Sequence, residues 1–486
     1  MNSTDTVNDT KKNTIIIKAI DDDFEEGKVI NADAGSDNYD IGKDSKKTDM
    51  SRLLADAALC LKNGGLVAFP TETVYGLGAD GLNPEASKKI YAAKGRPSDN
   101  PLIVHIADLD ALEELAYTNE KAYTLAHAFW PGPLTIILPK KDIVPKETTG
   151  GLDTVAVRMP SHPAAQSLIR QSGVYVAAPS ANISGRPSPT KAEHVIEDMQ
   201  GRIDYIIEGG AVGIGIESTI VDLTGEVPII LRPGYITKKM LEEMIGEVAM
   251  DPALERPVEM EAKGVHPKAP GMKYTHYAPK GELTLVEADV EEGNIPSIDV
   301  KEVSDKNGQP GLELVLDKKE GSDRKEAEEK NSQSYLEMAS DKKEGSDRKE
   351  AEEKNKQPDL KRTSERKQEL DRKAPEEKDS KPVNSIDAVV EKIRQLAVEK
   401  QEQGFKVGIM APKETLSLYE GYADVVVCVG DRSRQATVAA GLYAALREFD
   451  EQGAQYIYAE SFRGDGISYA IMNRLLKAAG HRIIKV

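Results

Sequence analysis

Residues 94–105 read Lys-Gly-Arg-Pro-Ser-Asp-Asn-Pro-Leu-Ile-Val-His. Pro97 and Pro101 stop a helix from running through this stretch, because proline lacks an N–H and disfavours helical backbone in the residue before it. Upstream, residues 90–93 read as the end of a helix; downstream, residues 102–104 read as a short buried strand. Lys94, Arg96, Ser98 and Asn100 are therefore held in turn or extended backbone between a helix end and a strand. Two cations, a hydroxyl and an amide in such a place suit an oxyanion, since Arg presents a planar fork and Lys a compact charge. Taken alone, such a stretch is more often a solvated surface loop.

Just upstream, residues 49–62 carry Leu53, Leu54, Ala57, Ala58 and Leu61 at helical spacing, and 66–69 form an apolar strand that ends at Pro70. The polar run 70–78 that follows places Thr71 and Thr73 at the end of a sheet, the usual ligand-binding edge of α/β proteins. Both threonines also suit a simple turn. Downstream, helices are expected over 109–115, 120–129, 191–199 and 237–245. Strands are expected over 134–138, 154–160, 174–178, 205–208, 219–222 and 229–232. Residues 130–133, Trp-Pro-Gly-Pro, read as a rigid corner. Residues 179–189 form a second loop, which can aim Ser180, Asn182, Ser184, Arg186 and Ser188 at one ligand or can be a hydrogen-bonded turn. The glycines of 209–215 match neither nucleotide-binding glycine motif. Lys94, Arg96, Arg158, Arg186 and Arg232 all fall at element ends beside Pro, Gly or Ser. If they converge, they make a polyanion pocket.

The chain of 486 residues is long for one domain, and its net charge of -18 excludes a protein that coats nucleic acid electrostatically. Any anion site must be a local basic cluster set against that field. Cys60 and Cys428 are far apart in apolar runs and are expected as buried free thiols, which fits a reducing compartment. No secretory pattern or membrane-length apolar run is present, so a cytoplasmic protein is expected. Residues 21–48 are acidic and read as disordered, after a strand at 14–18. A second domain begins near 283 and is interrupted by a charged tract at about 300–382, in which one fifteen-residue sequence occurs at 317–331 and again at 341–355. Such text cannot bury a core, and disorder or a fraying helix is expected there. From 386 to 486 helices and strands alternate, the signature of a parallel α/β unit.

Together these residues resemble the long, two-domain form of L-threonylcarbamoyladenylate synthase, the family that starts threonylcarbamoylation of the adenosine beside the anticodon of tRNA. The resemblance rests on nine stretches in family order: 69–78, 94–105, 130–135, 153–160, 177–182, 186–190, 217–222, 231–234 and 270–279, with a tenth, Ala-Ile-Met-Asn-Arg, at 470–474. Residues 21–48 and the duplicated tract stand outside the family pattern. The resemblance implies an α/β fold with a twisted open mixed sheet around a positively charged cavity, plus a smaller C-terminal Rossmann-like domain. Its domains would be an N-terminal strand and acidic segment at 1–48, a synthase domain at 49–246, a linker or lid at 247–281, and a C-terminal α/β domain at 282–486 that contains the insert.

The implied reaction joins L-threonine, bicarbonate or carbon dioxide, and ATP into threonylcarbamoyl-AMP and pyrophosphate, with Mg2+ accompanying ATP and no tightly bound cofactor. By resemblance Thr73, His105, Arg158 and the backbone at Ala178 hold threonine. Lys94 and Arg96 act in catalysis and, with Asn100, Thr154, Ser180, Asn182, Ser188, Ser218, Arg232 and Tyr274, face ATP; no metal ligand is expected. The Tyr274 contact would make the linker a lid, whereas its composition alone suggests a tether. The product would pass to a tRNA threonylcarbamoyl transferase complex, with at most weak tRNA binding and no membrane contact. No Ser/His/Asp or Cys/His arrangement is visible, and this chemistry requires none. Two alternatives stay open at this stage: a non-catalytic RNA-binding protein on the same fold, and a carbamoyl transferase.

Overall fold

In the computed structural model, residues 12–18, 44–254, 269, 277–289, 298–304, 310–316 and 385–486 are described. Contacts divide the chain into two units, Met1–Ala288 with Ile386–Val486, and Asp289–Ser385.

The large unit starts with β1 (Ile15–Lys18) and α1 (Asp44–Lys62). Helix α1 buries Leu54, Ala57, Ala58 and Leu61, the face read from spacing. Strand β2 (Val67–Phe69) is fully buried, and β3 (Gly76–Asp80) doubles back antiparallel to it. The last three residues of the polar run 70–78 are thus in a strand. Its glycines hid this, yet they are what permits it: a Cβ on Gly78 would meet Val176 at 2.7 Å and Phe69 at 2.8 Å.

Helix α2 (Pro84–Lys94) begins on the side chain of Asn83, which accepts the N–H groups of Glu85 and Ala86, with Pro84 in the first turn. It ends at Gly95, in the left-handed region at φ 61°. That cap turns the chain so that Lys94 and Arg96 leave the helix end together, ahead of β4 (Ile103–His105).

There follow α3 (Ala111–Leu115), α4 (Glu120–Phe129), β5 (Leu134–Pro139), α5 (Lys146–Thr149) and β6 (Thr154–Arg158). Next come α6 (Pro163–Ser172), β7 (Val176–Ala177), α7 (Ala192–Met199), β8 (Tyr205–Glu208), β9 (Thr219–Asp222), β10 (Ile229–Arg232), α8 (Lys238–Ile245) and β11 (Ala249–Met250). The eleven strands form one mixed sheet in the order β1-β8-β2-β3-β7-β4-β6-β5-β9-β10-β11. Strand β1 pairs in parallel with β8, so residues 15–18 belong to this sheet.

The same unit holds a second sheet. Strand β12 (Glu282–Glu287) precedes the smaller unit. In that smaller unit β13 (Ile298–Ser304) and β14 (Pro310–Leu316) pair antiparallel. This hairpin corrects the expectation that the charged tract holds only disorder or helix: Val300, Val303, Leu312, Leu314 and Val315 supply enough β-forming residues to pair. The duplicated segments at 317–331 and 341–355 lie outside the described residues.

The second sheet continues with α9 (Ser385–Glu402), β15 (Val407–Ala411), β16 (Val425–Cys428), α10 (Gln435–Gln452), β17 (Tyr456–Glu460), α11 (Ile467–Ala478) and β18 (Ile483–Lys485). Its order is β16-β15-β17-β12-β18, parallel throughout. This is the parallel unit read from the alternation.

The two sheets share a core. Val74, Ile216 and Tyr277 pack with Leu442, Tyr443 and other residues around α10. Gly215, at φ +83°, explains part of the glycine-rich turn: a Cβ there would lie 2.4 Å from the Cα of Ala440. Polar anchors cross the same boundary. Arg447, 1% exposed, donates to Asp198 at 2.7 Å and to the Pro187 carbonyl at 2.7 Å.

The cysteines depart from expectation. Cys60 is half-buried and Cys428 exposed, and both are free. Cys428 ends a four-residue strand at the edge of its sheet, where alternation turns Val427 inward and Cys428 out.

Candidate active site

One pocket gathers most of the singled-out residues. It is lined by Thr71, Thr73, Val74, Gly76, Lys94, Arg96, Ile103, His105, Arg158, Ala178, Pro179, Ser180, Asn182, Ser184, Gly185, Glu217, Arg232 and Tyr277. Its walls are the ends of β4, β6 and β10, the turn after α2 and the loops 70–75 and 178–185. Four basic side chains face one carboxylate there.

Three arginines are held in the same way. Arg158 donates from Nε to the Gly132 carbonyl at 3.3 Å and from Nη2 to Glu72 at 2.5 Å. Arg96 donates from Nε to the Asn100 carbonyl at 3.4 Å and from Nη2 to the Pro101 carbonyl at 3.1 Å. Arg232 donates from Nε to the Ser218 carbonyl and from Nη2 to the Ser218 hydroxyl, both at 3.0 Å. In each, Nε and Nη2 are anchored and Nη1 has no hydrogen-bond acceptor among the described residues. Burial lowers both Arg96 and Arg232 to about 10, so both remain cations at neutral pH.

Lys94 differs. Its ammonium donates to the carbonyls of Ser180 and Asn182, with Asn182 Oδ1 at 3.5 Å, so from the pocket wall it braces the second loop. Burial, then the charge of Arg96, push it well below the ordinary lysine value.

His105 and Arg158 are register partners on adjacent parallel strands. His105 Nδ1 is 3.1 Å from the Ile103 carbonyl. Burial, then Arg158, lower its pKa to about 3, so the ring is neutral and Nδ1 is the donor. The Thr71 hydroxyl gives its proton to the Val74 carbonyl at 2.6 Å, so across the 2.9 Å Thr71–Thr73 contact Thr73 is the donor. Thr73 oxygen is left as an acceptor toward the pocket. The Ala178 N–H is taken by the Ile103 carbonyl at 2.8 Å, which leaves the Ala178 carbonyl for a ligand.

Several expected residues are elsewhere. Asn100 is buried beside the pocket and reaches Arg96 only through its carbonyl. Thr154 opens β6, about 13 Å along the strand from Arg158. Ser188 is buried behind the lining and donates to Glu217 at 2.6 Å. Ser218 sits between Thr135, at 2.7 Å, and Arg232. Tyr274 lies outside the described residues. Arg186 corrects the convergence of five cations: its guanidinium turns to Asp198 and Glu197, because a buried carboxylate on α7 competes for it. Glu72, Glu217 and Tyr277 were not read as site residues. All three sit inside recognisable stretches, Glu72 in 69–78, Glu217 in 217–222 and Tyr277 in 270–279.

A family model described as "Telomere recombination" matches residues 60–234, and one described as "Threonylcarbamoyl-AMP synthase, C-terminal domain" matches 236–480. The threonylcarbamoyl-AMP synthase of Bacillus subtilis is 42% identical over 434 residues, covering 89% of this chain and 94% of that protein. The chain belongs to the threonylcarbamoyl-AMP synthase family. The family member from Pyrococcus abyssi is 40% identical over 432 residues, 88% of this chain and 95% of that one. A crystal structure of P. abyssi Sua5 complexed with L-threonine aligns with a TM-score of 0.66 and 37% identity, covering 97% of this chain and all of that one. The mixed sheet and the separate parallel sheet are thus those of this family. Among the described residues no helix is long and apolar enough to cross a membrane, and no group of three His, Cys, Asp or Glu is placed to hold a metal.

Proposed function

We propose that this chain makes L-threonylcarbamoyladenylate from L-threonine, bicarbonate or carbon dioxide, and ATP, releasing pyrophosphate, as the first step of threonylcarbamoyladenosine formation in tRNA. The observation that carries this is the set of three arginines, each anchored at Nε and Nη2 with Nη1 left over, around one pocket. A pocket that must hold several anionic groups side by side needs fixed cations more than a nucleophile.

In this reading threonine sits against β4 and β6. The free Nη1 of Arg158 takes its carboxylate, and the Ala178 carbonyl and Thr73 oxygen accept from its amine. The unprotonated amine adds to carbon dioxide and loses a proton, giving a carbamate. A carbamate oxygen then attacks the α-phosphorus of ATP and breaks the bond to the β-phosphate bridging oxygen, so pyrophosphate leaves. Arg96, Arg232 and the charge of Lys94 offset the repulsion between the carbamate and the phosphates. Ser180, Asn182 and Tyr274 complete the nucleotide contacts.

Magnesium enters as part of the substrate, MgATP. The only lining carboxylate among the described residues, Glu217, already accepts from Ser188, Tyr443 and Arg474, so the phosphates carry the ion. The product is a labile mixed anhydride handed to a tRNA threonylcarbamoyl transferase complex in the cytoplasm.

The test is the origin of the carbonyl carbon. With 13C-bicarbonate, threonine and MgATP, mass spectrometry should find an adenylate one mass unit heavier than with ordinary bicarbonate. An unlabelled threonyl adenylate would overturn the proposal.

A further inference from the structure

Glu217 is a carboxylate in a pocket read as taking a triphosphate, and it is 6% exposed. Left bare, it would repel the ligand. Its partners explain why it is tolerated. The Ser188 hydroxyl donates to Oε1 at 2.6 Å. The other two partners come from the parallel-sheet half of the unit, more than two hundred residues away. Tyr443, on α10, places its hydroxyl 3.0 and 2.9 Å from the two oxygens. Arg474, on α11, donates from Nε to Oε2 at 3.0 Å. Arg474 also donates from Nη1 to the Pro233 carbonyl at 2.6 Å, one residue beyond Arg232. The Arg474 side chain is fully buried. Burial opposes the charge of Glu217, but Arg474, Arg232 and Ser188 outweigh it and hold the carboxyl at about 2.

We propose that Arg474 and Tyr443 are positioning residues for the nucleotide end of the pocket: they neutralise Glu217, and through it they keep Ser188 in place and Arg232 available to phosphate. The proposal rests on the reading above that ATP fills this pocket. Without Arg474, the cations left acting on Glu217 are Arg232 and Lys477; Arg232, which lines the pocket, would be drawn to it as a counter-ion and be lost to the ligand. Docking of the C-terminal half and binding of ATP are then one coupled equilibrium.

The test uses the full-length chain with MgATP, threonine and bicarbonate, and compares Arg474→Met, Glu217→Gln, the double variant and Tyr443→Phe. Arg474→Met should raise the KM for ATP tenfold or more and leave the KM for threonine within twofold. Glu217→Gln in the Arg474→Met background should recover most of the loss, because it removes the stranded charge. An unchanged KM for ATP in Arg474→Met, or a double variant no better than the single one at equal melting temperature, would overturn the proposal. Should Arg474→Met fail to fold, Tyr443→Phe should raise the KM for ATP severalfold with threonine unaffected, and no change there overturns it equally. Wild-type protein without threonine-dependent turnover would instead sink the proposed function, so the two failures are distinguishable.

Discussion

Arg158 and Glu72 form a buried ion pair, Nη2 to Oε1 at 2.5 Å, with side chains 5% and 14% exposed. The other Glu72 oxygen accepts the N–H of Ser161 at 3.0 Å, so the carboxylate is itself fixed to the chain after β6. The pair aims Arg158 and leaves its Nη1 for the pocket. Glu72→Gln keeps the shape and removes the charge assistance, worth about 1.5–3 kcal/mol. The KM for threonine is expected to rise about tenfold, with the KM for ATP nearly unchanged, as read from initial rates at saturating co-substrate.

His105 and His194 make stability depend on pH. Burial lowers their pKa values from 6.5 to about 3 and about 4. The unfolded chain therefore takes up two protons near pH 6.5 that the folded chain refuses until much lower pH. Unfolding is favoured as pH falls, and the histidine contribution is complete above pH 6.5 and lost down to about pH 3–4. His105→Gln and His194→Gln should each flatten the melting temperature between pH 6.5 and 4.5. A profile as steep as that of the wild type would show that these rings are not neutral.

The packing between the two sheets has its own check. Gly215 combines a positive φ with a Cβ position 2.4 Å from the backbone of α10. Gly215→Ala should cost more than about 1 kcal/mol, because strain and overlap add. Urea unfolding should show a lower midpoint, whereas Gly210→Ala, also at positive φ but with nothing within 4 Å, should cost less.

Asp198 takes Arg186 and Arg447 at one buried carboxylate. Asp198→Ala removes the buried carboxylate that both guanidinium groups share and leaves them the more exposed Glu197, and is expected to cost about 3 kcal/mol in urea unfolding.

Much of this was legible because the chain spells it locally. Helix α2 ends where Pro97 and Gly95 require, and residues 94–105 deliver Lys94 and Arg96 to the pocket as their punctuation implies. What was not legible depends on partners far away in sequence. Nothing near Arg186 indicates that Asp198 will capture it in competition with a ligand. Glu217 is bonded by residues 226 and 257 positions downstream, a relation no local pattern encodes. Strand β3 was hidden because its sequence, Gly-Leu-Gly-Ala-Asp, lacks the β-branched residues that mark strands; close packing against Phe69 and Val176 makes it one.

The most direct measurement is pyrophosphate release from MgATP by the full chain, with threonine and bicarbonate each left out in turn. Release that needs both, and that Arg96→Ala reduces by at least a hundredfold, is the expected result. Release indifferent to threonine, or no release together with salt-sensitive RNA binding, would contradict the assignment of this pocket to threonylcarbamoyladenylate synthesis.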